Sequence, residues 1–335
     1  MDLSIIVPVY NVEKYVRACI ESIFRQGLDE SRFEVIIVND GSIDRSMEMI
    51  ADIIDQHDNI TVINQENQSL SVARNVGIAA AKGDYILMPD SDDMLIENSL
   101  PPLLDKAIET KVDLVVADFL IIDDKDMPNF KGTVQKEFSI EEKTGQQLFM
   151  EDLDSRQCYV WRTLYRRKFL NENHLSFIRG INYQDVPYTH KCYLKAQRCL
   201  KASWLLNIYR LNRPGSATGT FSVQKSRSYG VAMAATWNLR NIIGLPPSVL
   251  YKVEEDVYRS FCMMVYHTIY SIKERDGRKK VMDILRHEAP HLNFTHGIRQ
   301  RLTSFMLRNM PYTFIELYYL YGQIVFRKVW KIWKR

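Results

Sequence analysis

Tyr85-Ile86-Leu87-Met88-Pro89-Asp90-Ser91-Asp92-Asp93 is the stretch that decides how this chain is read. Its first part is apolar without alternation, the pattern of a strand buried on both faces of a parallel sheet. The acidic cluster then emerges at the strand's carboxyl end, where open α/β sheets bind ligands. Its carboxylates repel one another unless a cation, solvent or hydrogen bonds compensate. A hard divalent ion bridging to a diphosphate meets that need, because Mg²⁺-type sites combine one or two carboxylates with substrate phosphates. Taken alone, the cluster is more often an ordinary acidic turn; its place in a longer pattern changes the balance.

Upstream the same layout repeats. Apolar runs at 3–9, 33–38 and 60–63 read as strands, and each is followed by a helix-like segment, at 12–26, 46–55 and 70–81. Downstream, a helix at 98–110 leads into a strand at 113–122. With right-handed crossovers this is a doubly wound, mainly parallel α/β sheet. Beyond about residue 125 the pattern changes. Asp123-Asp124-Lys125-Asp126 and Lys131-Gly132 read as a polar hairpin or loop. After Phe221 the chain turns mostly helical, with apolar periodicity at 231–243, 253–272 and 280–286 and a break at Gly244-Leu245-Pro246-Pro247. The expected division is a domain at 1–221, split near 125, followed by a helical region at 222–335.

Bulk properties narrow the class. At 335 residues, 46% apolar and 25% charged, the chain suits two globular parts. Residues 299–335 hold eight basic side chains against the single acid Glu316, while the whole chain has a net charge of only +3. The rest is therefore mildly acidic, and nucleic-acid binding is not expected, because the basic residues sit in an apolar tail and not on a folded face. Five cysteines without a C-x-x-C pair argue against a disulfide framework or a zinc site and for reducing cytosol. The N-terminus has no secretory-signal pattern, and no 18-residue apolar stretch spans a bilayer.

Other strand ends carry polar groups to the same edge. Val38-Asn39-Asp40-Gly41-Ser42 closes the second strand, and Asp40 can accept from a ligand N–H such as the imide of uracil, or serve as a turn residue. Pro8-Val9-Tyr10-Asn11 lies beside it, where backbone and the Tyr10 ring can flank a base. Arg74, near a helix start, is either a base or phosphate contact or a surface ion pair. Asp185, in Tyr183-Gln184-Asp185-Val186-Pro187, is either a general base or a helix cap. Tyr209-Arg210-Leu211-Asn212-Arg213-Pro214-Gly215-Ser216 reads as a Gly/Pro loop suited to a diphosphate or simply solvated.

Taken in order, Ser4-Ile5-Ile6-Val7-Pro8-Val9-Tyr10-Asn11, Val38-Asn39-Asp40-Gly41-Ser42, Ala73-Arg74-Asn75-Val76-Gly77 and Asp90-Ser91-Asp92-Asp93 closely resemble the family 2 glycosyltransferases, inverting enzymes of the GT-A fold. The resemblance is strong to about residue 125, weaker through Tyr159-Val160-Trp161, Gln184-Asp185 and Arg210 to Ser216, and absent beyond about 222. It implies that Asp40 binds the nucleoside base with Arg74 in support. It further implies that Asp90 and Ser91 lie by the ribose, that Asp92 holds Mg²⁺ or Mn²⁺ against the donor diphosphate, and that Asp185 is the catalytic base. The segment of Arg210 and Arg213 resembles a flexible loop on the diphosphate side. Residues 1–125 are then the nucleotide-sugar part and 126–221 the acceptor side. Three positions depart from the pattern: Ser69 for Gly, Gln184 for Glu, and Arg162-Thr163 for Asn-Lys.

The expected reaction moves a sugar from a nucleotide donor, UDP-linked by preference, to a hydroxyl of a saccharide acceptor, lipid-linked, in cell-surface polysaccharide assembly. A nucleotidyltransferase would want a Gly-rich phosphate loop near the N-terminus, and Gly27 is the first glycine. A non-catalytic binder on the same scaffold would not need both Asp92 and Asp185. The tail interleaves basic residues with Phe305, Phe314, Trp330 and Trp333, which suits either a membrane headgroup layer at the cytoplasmic face or a helix packed on the protein.

Overall fold

The structure is a computed structural model that describes residues 1–130, 132, 133, 135, 137–153, 157–215 and 221–333, with backbone alone for 325–333. Lys131 and Ser216, named above, and the last two residues of the basic tail, Lys334 and Arg335, lie outside the described residues. In chain order the elements begin β1 (Leu3–Val9), α1 (Val16–Phe24), β2 (Phe33–Asn39), α2 (Ala51–Gln56), β3 (Ile60–Asn64), α3 (Leu70–Ala80), β4 (Tyr85–Leu87), β5 (Met94–Leu95), α4 (Leu100–Thr110) and β6 (Leu114–Asp123). They continue with β7 (Ile140–Lys143), α5 (Gly145–Gln147), β8 (Thr163–Arg166), α6 (Arg167–Glu172), α7 (Asp185–Lys195) and β9 (Cys199–Leu211). Helices α8 (Val223–Asn238), α9 (Pro247–Ser271), α10 (Arg275–Glu288), α11 (Gly297–Asn309) and α12 (Pro311–Trp333) complete the chain.

The strands form one sheet in the order β3-β2-β1-β4-β8-β6-β9-β5, with β7 added on β9. The first four lie parallel, and every residue of β1 is buried, as expected of a strand covered on both faces. β8 runs antiparallel between β4 and β6, so the sheet is mixed beyond its first four strands. The β1–β4 ladder ends at Ile5↔Leu87, which leaves the last part of β1 unpaired on that side. Pro8, without an N–H to offer, sits there at no cost to the ladder.

Local polar groups fix where elements stop. Buried Gln26 accepts from the backbone of Ser99 at 3.1 Å and Leu100 at 2.9 Å, satisfying donors at the start of α4. The Tyr85 hydroxyl donates to the Ala107 carbonyl at 2.7 Å near the other end of the same helix. The helix expected at 12–26 starts only at Val16, because the turn before it is stitched to the loop after β2. Val12 N donates to Ser46 Oγ at 2.8 Å and Glu13 N to Asp44 at 3.0 Å. That stitching also shortens the helix expected at 46–55 to a 3-10 turn, Glu48–Ile50, and α2. Of the hairpin and the loop offered for 123–126, the structure takes the loop, opened by a 3-10 turn, Asp124–Asn129, with Asp123 accepting from Lys125 N.

The chain separates into two compact units, Met1–Gly180 with Tyr188–Ser216, and Ile181–Pro187 with Ala217–Arg335. The first holds the sheet. The second is helical and is cored by Trp237, Phe261, Phe294 and Phe314. No helix among the described residues is long and apolar enough to cross a membrane.

Candidate active site

Three adjacent parallel strands, β2, β1 and β4, deliver their carboxyl ends to one edge of the first unit. After β4, the carboxylates of Asp90, Asp92 and Asp93 bring ligand oxygens within 4.8 Å of one another. Asp93 is buried; one oxygen accepts from Arg210 N at 2.8 Å, and the other has no hydrogen-bond partner among the described residues. Burial first, and then the charges of Asp92 and Asp90, push its carboxyl up to about 9. The structure brings together the carboxylates whose repulsion the sequence suggests, and an orphaned buried carboxylate oxygen beside two more carboxylates fits a hard cation. The residues present fit Mg²⁺ or Mn²⁺.

Arginines supply the positive charge that the cluster meets within the chain. Arg74, on α3, is not at the surface: it is 2% exposed, donates to Asp90 and lies 5.4 Å from the Phe177 ring centre. Arg213 donates through Nε to Asp92. Arg210 donates to the Asp92 carbonyl at 3.0 Å and to Asp124 at 2.9 Å. Both Arg210 and Arg213 lie over Tyr15, at 4.9 and 5.4 Å. Arg210 corrects the sequence reading, since it belongs to strand β9 and not to a loop; pairing with β6, Ile122↔Arg210 and Asp123↔Leu211, carries the strand to Leu211, and the turn at Pro214 and Gly215 begins only after it. Ser91 is buried in the bend between Asp90 and Asp92.

Asp40 follows β2 and is 2% exposed. Its carboxylate accepts from Gln65 Nε2 at 2.6 Å, Gln68 N at 2.9 Å and Ser69 N at 3.0 Å, which organises the loop leading into α3. Ser69 stands at φ 95°, ψ 155°, a region that belongs to glycine. Tyr10, just past β1, is half exposed, and the adjoining Asn11 is in the left-handed region and accepts from Ile43 N at 3.0 Å. Pro8, Tyr10, Asp40, Arg74 and the acidic bend thus occupy one end of one unit.

Asp185 is the first residue of α7 and falls in the second unit. Tyr183 and Tyr229 lie near it, their hydroxyls raised by burial first and by the Asp185 charge further down.

Sequence reasoning missed an aromatic group beside the cluster. Tyr159 and Trp161 stack at 4.7 Å, and Tyr209 on β9 lies 5.7 Å from Trp161. Burial, then Tyr159, then the three aspartates push the Tyr209 hydroxyl up to about 12. Arg162, one of the departures from the family pattern, lies 5.1 Å from the Phe119 ring and donates to the Ala117 carbonyl at 2.8 Å. No periodicity announces this group, because its members come from three separate segments.

A protein-family model described as Glycosyl transferase family 2 matches residues 4–173. The uncharacterized glycosyltransferase EpsJ of Bacillus subtilis is 35% identical over 222 residues, covering 64% of this chain and 62% of that protein. Glycosyltransferase GlyG of Streptococcus pneumoniae is 31% identical over 230 residues, covering 65% and 73%. This chain thus spans less than two thirds of EpsJ. Among solved structures, residues 1–349 of Staphylococcus aureus TarS in complex with UDP-GlcNAc superpose with a TM-score of 0.70 at 21% identity, covering 96% of this chain and 92% of that one, a likeness of fold.

Proposed function

This chain belongs to glycosyltransferase family 2 and is built on the GT-A fold, and we propose that it transfers a sugar with inversion from a UDP-linked donor to a saccharide hydroxyl. The observation that carries the reading is the clustering of Asp90, Asp92 and Asp93 at the end of β4, in one unit with Asp40 and Arg74. TarS, which carries the name of a poly(ribitol-phosphate) beta-N-acetylglucosaminyltransferase, was crystallised with UDP-GlcNAc, and this supports a uridine donor and a cell-surface polymer setting.

In this reading Asp40 accepts from the imide N–H of the base, with one lone pair beyond those already engaged. The Tyr10 ring and the backbone at Pro8 flank the base, and Arg74 holds Asp90 and Ser91 at the ribose. Asp92, with its neighbours, would hold a divalent cation, which would supply charge neutralisation for the departing diphosphate. Arg213 then exchanges its Asp92 partner for a diphosphate oxygen, and Arg210 keeps the bend and Tyr15 in place. Asp185 takes the proton of the acceptor hydroxyl, whose oxygen attacks the anomeric carbon from the face opposite the diphosphate. One C–O bond forms, one breaks, and the electron pair leaves with the diphosphate. General-base assistance contributes on the order of 10²–10⁴-fold. A lipid-linked saccharide acceptor and a cytoplasmic location complete the proposal.

The test is thermal stabilisation of the full chain by UDP and by UDP-sugars, with Mn²⁺ or Mg²⁺ and with EDTA. We expect a metal-dependent rise that is absent in Asp92→Asn. No shift with UDP and Mn²⁺ in the unaltered protein would sink the reading.

A further inference from the structure

The second unit turns large apolar side chains toward solvent in an ordered way. On α12, exposed Leu317, Leu320, Tyr321 and Ile324 follow the i, i+3, i+4, i+7 spacing of a single helical stripe. The opposite side, with Ile315 and Gly322, is buried, and Phe314 at the border of the stripe turns into the core. Helix α11 is inverted in part, although it buries Leu307 in the core and exposes three arginines. Its exposed residues include Ile298 at 79%, Leu302 at 57% and Phe305 at 57%, whereas Gln300, Thr303 and Ser304 are buried. A helix whose outer side met only water would carry the reverse arrangement. Between α9 and α12 lies a cavity of about 240 Å³, lined by Phe261, Val265 and Phe314, with the exposed rings of Tyr318 and Tyr321 at its rim.

The exposed charge on α11 has one sign, and the acids facing it from α9 are engaged: Glu255 accepts from Gln300 Nε2, and Glu254 from Thr295 N at 2.6 Å. Arg299, Arg301 and Arg308 are exposed on α11. Glu316, the one acid between residues 297 and 324, is already engaged: it accepts from Arg278 at 2.9 and 2.6 Å. On neighbouring α10, Asp283 accepts from the Tyr312 hydroxyl at 2.6 Å. A second cavity, of about 450 Å³, is lined by Arg286, His291 and Arg308 with no carboxylate among its lining residues.

We propose that α11 and the outer stripe of α12 dock on the headgroup layer of an anionic phospholipid bilayer. Exposed leucine and phenylalanine enter the boundary of the acyl region, tyrosine rings suit the wet interface, and the arginines meet lipid phosphate. No helix described here can span the bilayer, so the attachment is in its plane. A second copy of the chain is the poorer occupant, since it would set the arginines of one protomer against those of the other. The proposal stands independently of the catalytic reading, because every residue it uses lies in the second unit.

Flotation of the full chain with vesicles tests it, using phosphatidylglycerol mixed with phosphatidylcholine against phosphatidylcholine alone. Binding to the anionic vesicles alone is expected, weakening as salt is raised. The triple variant Arg299→Gln, Arg301→Gln, Arg308→Gln should lose roughly a hundredfold in partitioning at low salt. Leu302→Glu with Leu320→Glu should abolish binding with all arginines intact, and circular dichroism should report an unchanged fold because both sites are exposed. Equal partitioning into the two vesicle types, or an unaffected leucine variant, overturns the proposal. So does a lipid-free oligomer that the leucine variant converts to monomer, since a second copy would then cover this face.

Discussion

Asp185 and Ser69 show how differently single residues enter this molecule. If Asp185 accepts the acceptor's proton, Asp185→Asn should lower kcat by about 10²–10⁴-fold while the thermal shift with UDP and Mn²⁺ stays. Unchanged turnover would remove the base. Ser69 holds a backbone conformation that costs a non-glycine residue about 1–3 kcal/mol. Its N–H to Asp40 survives substitution, and part of the relief is offset by the greater freedom of glycine in the unfolded chain. Ser69→Gly should therefore raise stability by about 1 kcal/mol, read as a higher denaturant midpoint with an unchanged slope. A fall in midpoint would show that the Ser69 hydroxyl, 2.9 Å from Ser71 Oγ, matters more than the backbone.

At the level of elements, α3 rests directly on β1. A Cβ on Gly77 would come within 2.2 Å of Ile6 Cγ2, in the buried central strand. Gly77→Ala should cost about 1–3 kcal/mol. It should also weaken UDP stabilisation, because displacing α3 displaces Arg74; a variant that keeps both properties would show that the helix has room. The strands that feed the donor edge were legible because burial on both faces writes an unbroken apolar run, as β1 and β2 show. The strand β9 was not. Its inner residues mix Lys201, Ser203 and Asn207 with leucines, and its end supplies Tyr209 and Arg210 to the site, so polarity there follows chemistry and not the sheet. The acidic bend was legible as a cluster. That Asp93 is its buried member was not, because burial depends on Arg210 arriving from a strand 117 residues later. For Arg74 the sequence left a ligand contact and a surface ion pair both open, and its burial between Phe177 and Asp90 appears only in the fold.

For the whole molecule, the division into units separates binding from the proposed proton transfer. UDP with Mn²⁺ at about a hundred times its dissociation constant should stabilise the first unit by about 2.7 kcal/mol. For a unit of that size calorimetry should show a rise of about 5–10 °C in one transition, with the other unmoved. In the second unit, Asn182 N donates to Ser228 Oγ at 3.1 Å, and the Tyr183 and Tyr229 rings lie 4.0 Å apart. These contacts hold the short segment that contains Asp185. Tyr229→Ala should therefore reduce kcat at least tenfold, by about 1.4 kcal/mol or more, with UDP stabilisation intact. Equal turnover would free the segment from that duty. Residues 181–187 sit inside the first unit's span of sequence yet belong to the second, so the boundary is crossed more than once along the chain. Exchanging the helical half with that of a related enzyme, to graft a new acceptor preference, thus requires three junctions, with that heptapeptide travelling alongside the helices; a chimera joined at one seam would combine a native heptapeptide with foreign helices in one core.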